Sequence, residues 1–223
     1  MKFISYNVHG WVGTDGVRDF RRALGFINES APDAAALQEV VTPVPADNLS
    51  EAHDFIQDHS GMYATFGQTM LKKDAPYGNV LLTREKPLHV DFQDISVSGY
   101  EPRGVIIAEV SSGYGSLTIL TTHLGLNRKE RVIQAGMIRG IISGTPEPTV
   151  LMCDCNEWYR SRASKILDSC LSQAHRQRTF PSKYPILALD MIRTKGLRIR
   201  TEVIKSRQLR VASDHLPLAA EVF

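Results

Sequence analysis

Short apolar runs with strand character recur from one end of the chain to the other, and only a few stretches between them have helical spacing. Residues 2–8 (KFISYNV) alternate polar and apolar, the period-2 pattern of a half-buried strand. Residues 17–30 place Val17, Phe20, Leu24 and Ile27 on one helical face. Pro32 follows, and residues 34–39 (AAALQE) read as a buried strand ending in a carboxylate. A helix is expected over 48–59, capped by Asn48 or Ser50. Strands are expected near 62–69, 78–83, 103–110 and 115–122, the last two joined by the turn SSGYGS. An amphipathic helix over 128–142 is stopped by TPEP before the strand TVLMC from Thr149. A helix near 161–172 and strands near 187–193, 197–204 and 217–222 complete the chain. Many strands with few helices in mixed order point to an α/β architecture with mixed sheets, not one parallel sheet.

The 223 residues suit a single domain, residues 1–223, which buries roughly 70% of its unfolded surface. A net charge of +2 is too weak for a nucleic-acid coat or a polybasic membrane anchor. Three cysteines, Cys153, Cys155 and Cys170, make no disulfide framework. The start MKFISYNVHG lacks the apolar run of a signal peptide, and no stretch approaches a membrane span. The expectation is a soluble, cytoplasmic protein with no stable membrane insertion. Oligomeric state is left open.

Polar residues interrupt the strands at their ends. Asn7 closes the first, Glu39 the second and His123 the strand LTILTTH. Asp154 and Asn156 close TVLMC, Asp190 sits in ILALDMI, and Asp214 and His215 precede LPLAAEV. Each alone has a bland reading as a turn or capping residue. As a set, carboxylates beside apolar runs repel one another and are costly to bury, unless a cation joins them. Oxygen donors of this kind suit Mg²⁺, Mn²⁺ or Ca²⁺ rather than Zn²⁺. The segment LMCDCNEW (151–158) offers two thiols as well as Asp154 and Asn156. In an extended chain, alternation puts Asp154 and Asn156 on one face and Cys153 and Cys155 on the other. With only Cys170 left over, a thiolate metal site lacks ligands, so the cysteines are expected in the core.

SYNVHG, LQEV, YGNVLLTR, EPRGV, TTHLG, MCDCNEW, TFPS with LALDMI, and ASDHLPL occur in the order found in the endonuclease/exonuclease/phosphatase superfamily. The chain resembles that family from Asn7 to Pro217, and in particular its short bacterial branch. The resemblance implies a four-layer α/β/β/α sandwich, two mixed β-sheets packed face to face with helices outside. It implies a divalent-metal-dependent phosphoesterase that hydrolyses a phosphodiester by in-line attack of water. A phosphomonoesterase and an inactive binding protein on the same fold are the alternatives.

The family's roles transfer position by position. Glu39 matches the main ligand of a Mg²⁺ or Mn²⁺ ion, with Asn7 and Asp214 also at the metal. Asp154 and Asn156 match the pair that meets the attacking water and the phosphate. His215 matches the essential histidine, Asp190 the carboxylate that orients it, and His123 the histidine at the scissile phosphate. Tyr77 and Arg103 match substrate-side positions. The family's usual Gly-Asp-Phe-Asn is Cys153-Asp154-Cys155-Asn156 here, differing only at the residues expected to face away.

Substrate identity is less constrained. A phosphate ester is expected, with nucleic acid and a phospholipid head group as candidates. The basic run 193–210 could follow a phosphate backbone, but LRIRTEV within it alternates like a half-exposed strand with a solvated charged face, the preferred reading. Trp11, in the loop after Asn7, could stack a base, although such a loop more often only turns. Trp158 and Tyr159 are equally open as pocket wall or packing.

Overall fold

The computed structural model describes residues 1–42, 49–173 and 175–223. Two six-stranded sheets form the centre. The first contains β1 (Lys2–Asn7), β2 (Ala34–Val41), β3 (Tyr63–Lys72), β4 (Ala75–Thr83), β11 (Ile199–Val203) and β12 (Leu218–Val222), in the order β11-β12-β1-β2-β4-β3. The second contains β5 (His89–Asp94), β6 (Gly104–Ser112), β7 (Gly115–His123), β8 (Thr149–Asp154), β9 (Ser172–Gln173) and β10 (Asp190–Lys195), in the order β5-β6-β7-β8-β10-β9. Each sheet has one parallel pair, β1 with β2 and β7 with β8; the other pairings are antiparallel.

Apolar residues of the strands separate into two faces. Phe3, Ala34, Leu81, Ile106, Ile119, Val150 and Ile192 pack between the sheets. On the outer face of the first sheet, Ile4, Tyr6, Leu37 and Val80 pack with Leu24 and Ile27 of α1 (Phe20–Ser30) and Ile56 of α2 (Leu49–Ser60). Outside the second sheet, Leu120, Leu151 and Cys153 meet Ala135 and Ile138 of α3 (Arg128–Ser143) and Ala163 and Leu167 of α4 (Arg162–Asp168). Helices therefore lie on the outside of both sheets, in the four layers expected. Asp19 caps α1, and Asn127 with Glu130 forms a capping box on α3.

Several expectations shift in detail. Helix α1 begins at Phe20, so Val17 lies outside it and is half exposed. Asn48 lies outside the described residues, and Ser50 is inside α2. Asp190 opens its strand instead of sitting within it. The edge strand β5 and the short helix α5 (Arg207–Ala212) went unread; β5 (HVDFQD) is polar and mostly exposed, so it lacks an apolar signal. Among the described residues, no helix is long and apolar enough to cross a membrane.

Candidate active site

The inner apolar stripe of four strands continues at one end into polar residues. Phe3 faces the other sheet, so by alternation Ser5 and Asn7 do too. On β7 Leu117 and Ile119 lead to His123, on β8 Val150 and Met152 lead to Asp154, and on β10 Asp190 shares the face of Ile192. The pairs His123↔Asp154 and Asp190↔Asp154 put three of these side by side. Glu39 arrives differently. Ala35 and Leu37 face the helices, so strict alternation would send Glu39 outward as well. A bulge between Leu37 and Val40 reverses the parity, and Glu39 takes φ 59. Its Oε1 then accepts a hydrogen bond of 2.9 Å from Asn7 Nδ2. A glutamate in the left-handed region is strained, and strain of this kind gathers at functional sites.

Asn7 joins two carboxylates. Its Nδ2 also donates to Asp154 Oδ2 at 2.9 Å, while its Oδ1 accepts from the His9 backbone N–H at 3.0 Å. Carboxylates only accept, which fixes the amide's orientation. Asn7 thus presents nitrogen, not the oxygen expected of a metal ligand, toward Glu39 and Asp154. Burial pushes the Asp154 carboxyl up, but the His123 and His215 rings and the Asn7 amide outweigh it and hold it below the usual range.

His215 Nδ1 lies 2.9 Å from Asp190 Oδ2, and Thr179 Oγ1 donates to the same oxygen. Burial holds the Asp190 carboxyl above its usual range, while the His215 charge and the Thr179 hydroxyl pull it down; two donors on one oxygen fit an ion pair of Asp190 with the His215 ring. Burial disfavours the imidazolium, yet the charges of Asp190 and Asp154 outweigh it and raise the His215 pKa to about 10. Its Nε2 stands 3.8 Å from Asp154 Oδ2, and Phe180 covers the ring at 4.9 Å between centroids. Ser213 Oγ donates to the Asn7 carbonyl at 2.8 Å and accepts from the His215 N–H, tying the turn before β12 to β1. Asp214, in that turn, is partly exposed and 3.9 Å from His9 Nδ1.

His123 is buried; burial, with the Arg103 guanidinium adding to it, lowers its pKa against the opposing charge of Asp154. Asn156, held at φ 49, donates from Nδ2 to the Leu124 carbonyl at 2.8 Å and to His123 Nε2 at 3.0 Å. The carbonyl can only accept, so the Asn156 amide nitrogen faces His123 Nε2. His123 and Asn156 are thus engaged with each other in the resting site. Arg103 Nη1 stands 3.5 Å from His123 Nδ1 and 2.8 Å from Glu101. Tyr77, at the Glu39 end of β4, is buried; burial first, then the Glu39 charge, raises its phenol. Both substrate-side candidates therefore lie against the site.

The donor set suits a hard cation. Glu39 Oε1 and Asp154 Oδ2 each lie 2.9 Å from one amide nitrogen, so two carboxylates are gathered with no cationic side chain between them. The grouping of three candidate donors within 4.8 Å of one another is Asp154, Asp190 and His215, and it contains none of the three residues that the resemblance put at the metal.

Cys153 and Cys155 are buried in the outer core, as expected, but the reason is only partly alternation. Strand β8 ends at Asp154, and the left-handed Asn156 turns the chain back toward His123. Trp11 cannot stack a base: it is 3% exposed, packed in the outer core, with Nε1 bonded to Val41 O at 2.6 Å. The basic run is structural. Arg193 is buried on Asp168, Arg210 bonds the carbonyls of Ser182 and Lys183, and β11 alternates half-buried with exposed. Trp158 is half exposed, and Tyr159 lies beneath the Arg128 guanidinium. Thr179, Phe180 and Ser213 were not singled out, although each sits inside a motif, TFPS or ASDHLPL, that carried the signal.

No protein-family model matches the chain. The uncharacterized protein YbhP of Escherichia coli (strain K12) is 30% identical over 209 residues, 85% of this chain and 83% of YbhP. Among solved structures, an endonuclease/exonuclease/phosphatase from Beutenbergia cavernae superposes with a TM-score of 0.79 at 20% identity, over 100% of this chain and 71% of that one. The mannosyl-6-phosphatase Bt3783 of Bacteroides thetaiotaomicron has a TM-score of 0.78 at 15% identity, over 100% of this chain and 99% of its own.

Proposed function

This chain belongs to one family with YbhP and has the fold of the endonuclease/exonuclease/phosphatase proteins, and from that premise we propose that it is a divalent-metal-dependent phosphoesterase that hydrolyses a phosphodiester by in-line attack of water. The observation that carries the reading is the convergence of Asn7, Glu39, His123, Asp154, Asn156, Asp190 and His215 at one end of the inter-sheet core.

Glu39 is the main ligand of Mg²⁺ or Mn²⁺, with Asn7 beside it and Asp214 contributing from the turn before β12. Asp190 and His215 are spent on each other, which favours Glu39 over the tighter grouping around Asp154. When bound, the ion supplies charge against the phosphoryl oxygens and the leaving oxygen. Asp154 stays ionised and takes the proton of the attacking water. The His215 imidazolium, oriented by Asp190 and Thr179, donates from Nε2 to the phosphoryl group. Asn156 exchanges its hydrogen bond to His123 for one to a phosphoryl oxygen, and His123 donates to the phosphoryl group from Nε2 when that nitrogen carries the proton. Tyr77 and Arg103 face the ester substituent.

A diester has two substituents to house. Two grooves have linings adjacent in the chain to site residues: one of about 460 Å³ beside Arg103, and one of about 860 Å³ lined by Leu126, Arg128 and Glu157, next to the segments that hold Asn156. A phosphomonoesterase is the second reading, favoured by the shared fold of the mannosyl-6-phosphatase. An inactive scaffold is disfavoured because no polar position of the motif set is lost. The purified chain with Mn²⁺ is to be given bis(p-nitrophenyl) phosphate and p-nitrophenyl phosphate. Faster turnover of the diester, lost in H215A, is expected. Preference for the monoester selects the second reading, and silence on both with each metal rejects hydrolysis.

A further inference from the structure

The cavity of about 460 Å³ lies between the β3–β4 and β5–β6 edges of the two sheets. Its lining includes Asn79 and Arg103. Asn79 is 4% exposed, and its side-chain amide has no hydrogen bond among the described residues. It lies two residues from Tyr77 on the same face of β4, so it sits one step inward from the reaction centre. Arg103 is 6% exposed; its Nε is sealed and unbonded, and its Nη1 reaches toward His123. Buried polar groups are nearly always paired, and leaving one unpaired costs about 1–3 kcal/mol. The Arg103 Nε is sealed from the cavity, but the Asn79 amide lines it beside the reacting residues, and it marks a place where a ligand completes the bonding.

The lining also says what kind of ligand. Arg103 is the one cation among these residues, and it is already paired with Glu101 at 2.8 Å. Asp94 adds negative charge at the rim. A second phosphate would meet no free cation there, which disfavours the backbone of a polynucleotide. An amide instead offers a donor and an acceptor side by side, and Gln68 and Gln93 repeat that chemistry at the exposed rim. Phe92, half exposed, supplies an apolar wall. Amides, a carboxylate and one apolar face suit a compact, uncharged group that carries several hydroxyls.

We propose that this cavity is the specificity subsite, and that it holds the sugar or other polyol portion of the phosphate ester, with Asn79 hydrogen-bonded to adjacent hydroxyls. The proposal rests on reading the neighbouring residues as a phosphoesterase site, and its test separates the two. The side-chain amide signals of Asn79 are followed by NMR while glucose 6-phosphate, butyl phosphate or deoxyadenosine 5′-phosphate is titrated into the full chain. Glucose 6-phosphate is expected to move them and to bind about tenfold or more tighter than butyl phosphate, which carries the same charge without hydroxyls. Asn79→Ala is expected to erase that preference. Gln68→Ala, at the exposed rim, is expected to reduce it, and serves if Asn79→Ala does not fold. Equal binding of the sugar and butyl esters overturns the proposal, and tighter binding of the nucleotide replaces it with a base pocket. These outcomes are read without turnover. Turnover is then measured on the p-nitrophenyl diesters of the sugar and butyl phosphates: a sugar preference that falls in both variants supports the subsite, whereas sugar-selective binding without hydrolysis rejects the phosphoesterase reading and leaves the subsite standing.

Discussion

Asp190 Oδ2 accepts hydrogen bonds from both His215 Nδ1 and Thr179 Oγ1, and this shared acceptor bears on the charge of the His215 ring. A histidine raised from about 6.5 to about 10 keeps its proton through the neutral range. The sign of the linkage follows. The stabilisation from the ion pair is complete below about pH 6.5 and is lost as pH rises from there toward 10. In the metal-free protein, NMR titration of the His215 ring is therefore expected to show no deprotonation below pH 9 or so. In Asp190→Asn the ring is expected to titrate at lower pH than in wild type, because Asp154 is then the main charge opposing burial, and the stability difference from wild type should shrink as pH rises. A wild-type midpoint near 6.5 would contradict the ion pair. Asp190 and His215 were legible as residues; their shared partner Thr179 was not, because it lies 11 positions from Asp190 in the chain and only the folded β-structure brings them together.

Among the elements, β2 departs furthest from its own sequence pattern. Read by strict alternation, AAALQEVV leaves Glu39 facing the helices; the bulge and the left-handed Glu39 send it to the site instead. Glycine adopts this conformation without the steric penalty that glutamate carries, so Glu39→Gly separates stability from function. Its urea-unfolding stability is expected to lie within about 1 kcal/mol of wild type or above it. Its phosphoesterase activity is expected to fall by roughly a hundredfold or more, because the carboxylate is gone. Loss of both together would mean that the bulge depends on the Glu39 side chain. The strands with clear alternation were readable, as were the three longer helices α1, α2 and α3, because periodicity reports burial directly. The polar edge strand β5, the short α5 and the bulge were not, since each is specified by pairing with distant chain segments.

Over the whole molecule, each sheet carries one parallel strand pair whose carboxyl ends deliver site residues: Asn7 and Glu39 from the first, His123 and Asp154 from the second. The site is a seam between two halves of the core, so an ion held there ties the sheets together. Mn²⁺ is expected to raise the unfolding free energy by about 2.7 kcal/mol at a hundred times its dissociation constant, and not to do so in Glu39→Gln. Calorimetric melting with and without the ion checks this; an equal shift in the variant would place the ion elsewhere. The fold and its motif order were visible in the sequence, whereas the mutual engagement of His123 with Asn156 and the unpaired Asn79 were not, since both depend on how the sheets face each other. The central claim is that this seam hydrolyses phosphate esters with the help of a metal. Its most direct test is release of p-nitrophenolate from bis(p-nitrophenyl) phosphate by the purified chain with Mn²⁺, measured beside a chelated sample and the Glu39→Gln variant. Turnover that is abolished by chelation, restored by added Mn²⁺ and lost in the variant is the predicted result; full turnover in the chelated sample or in Glu39→Gln would contradict it.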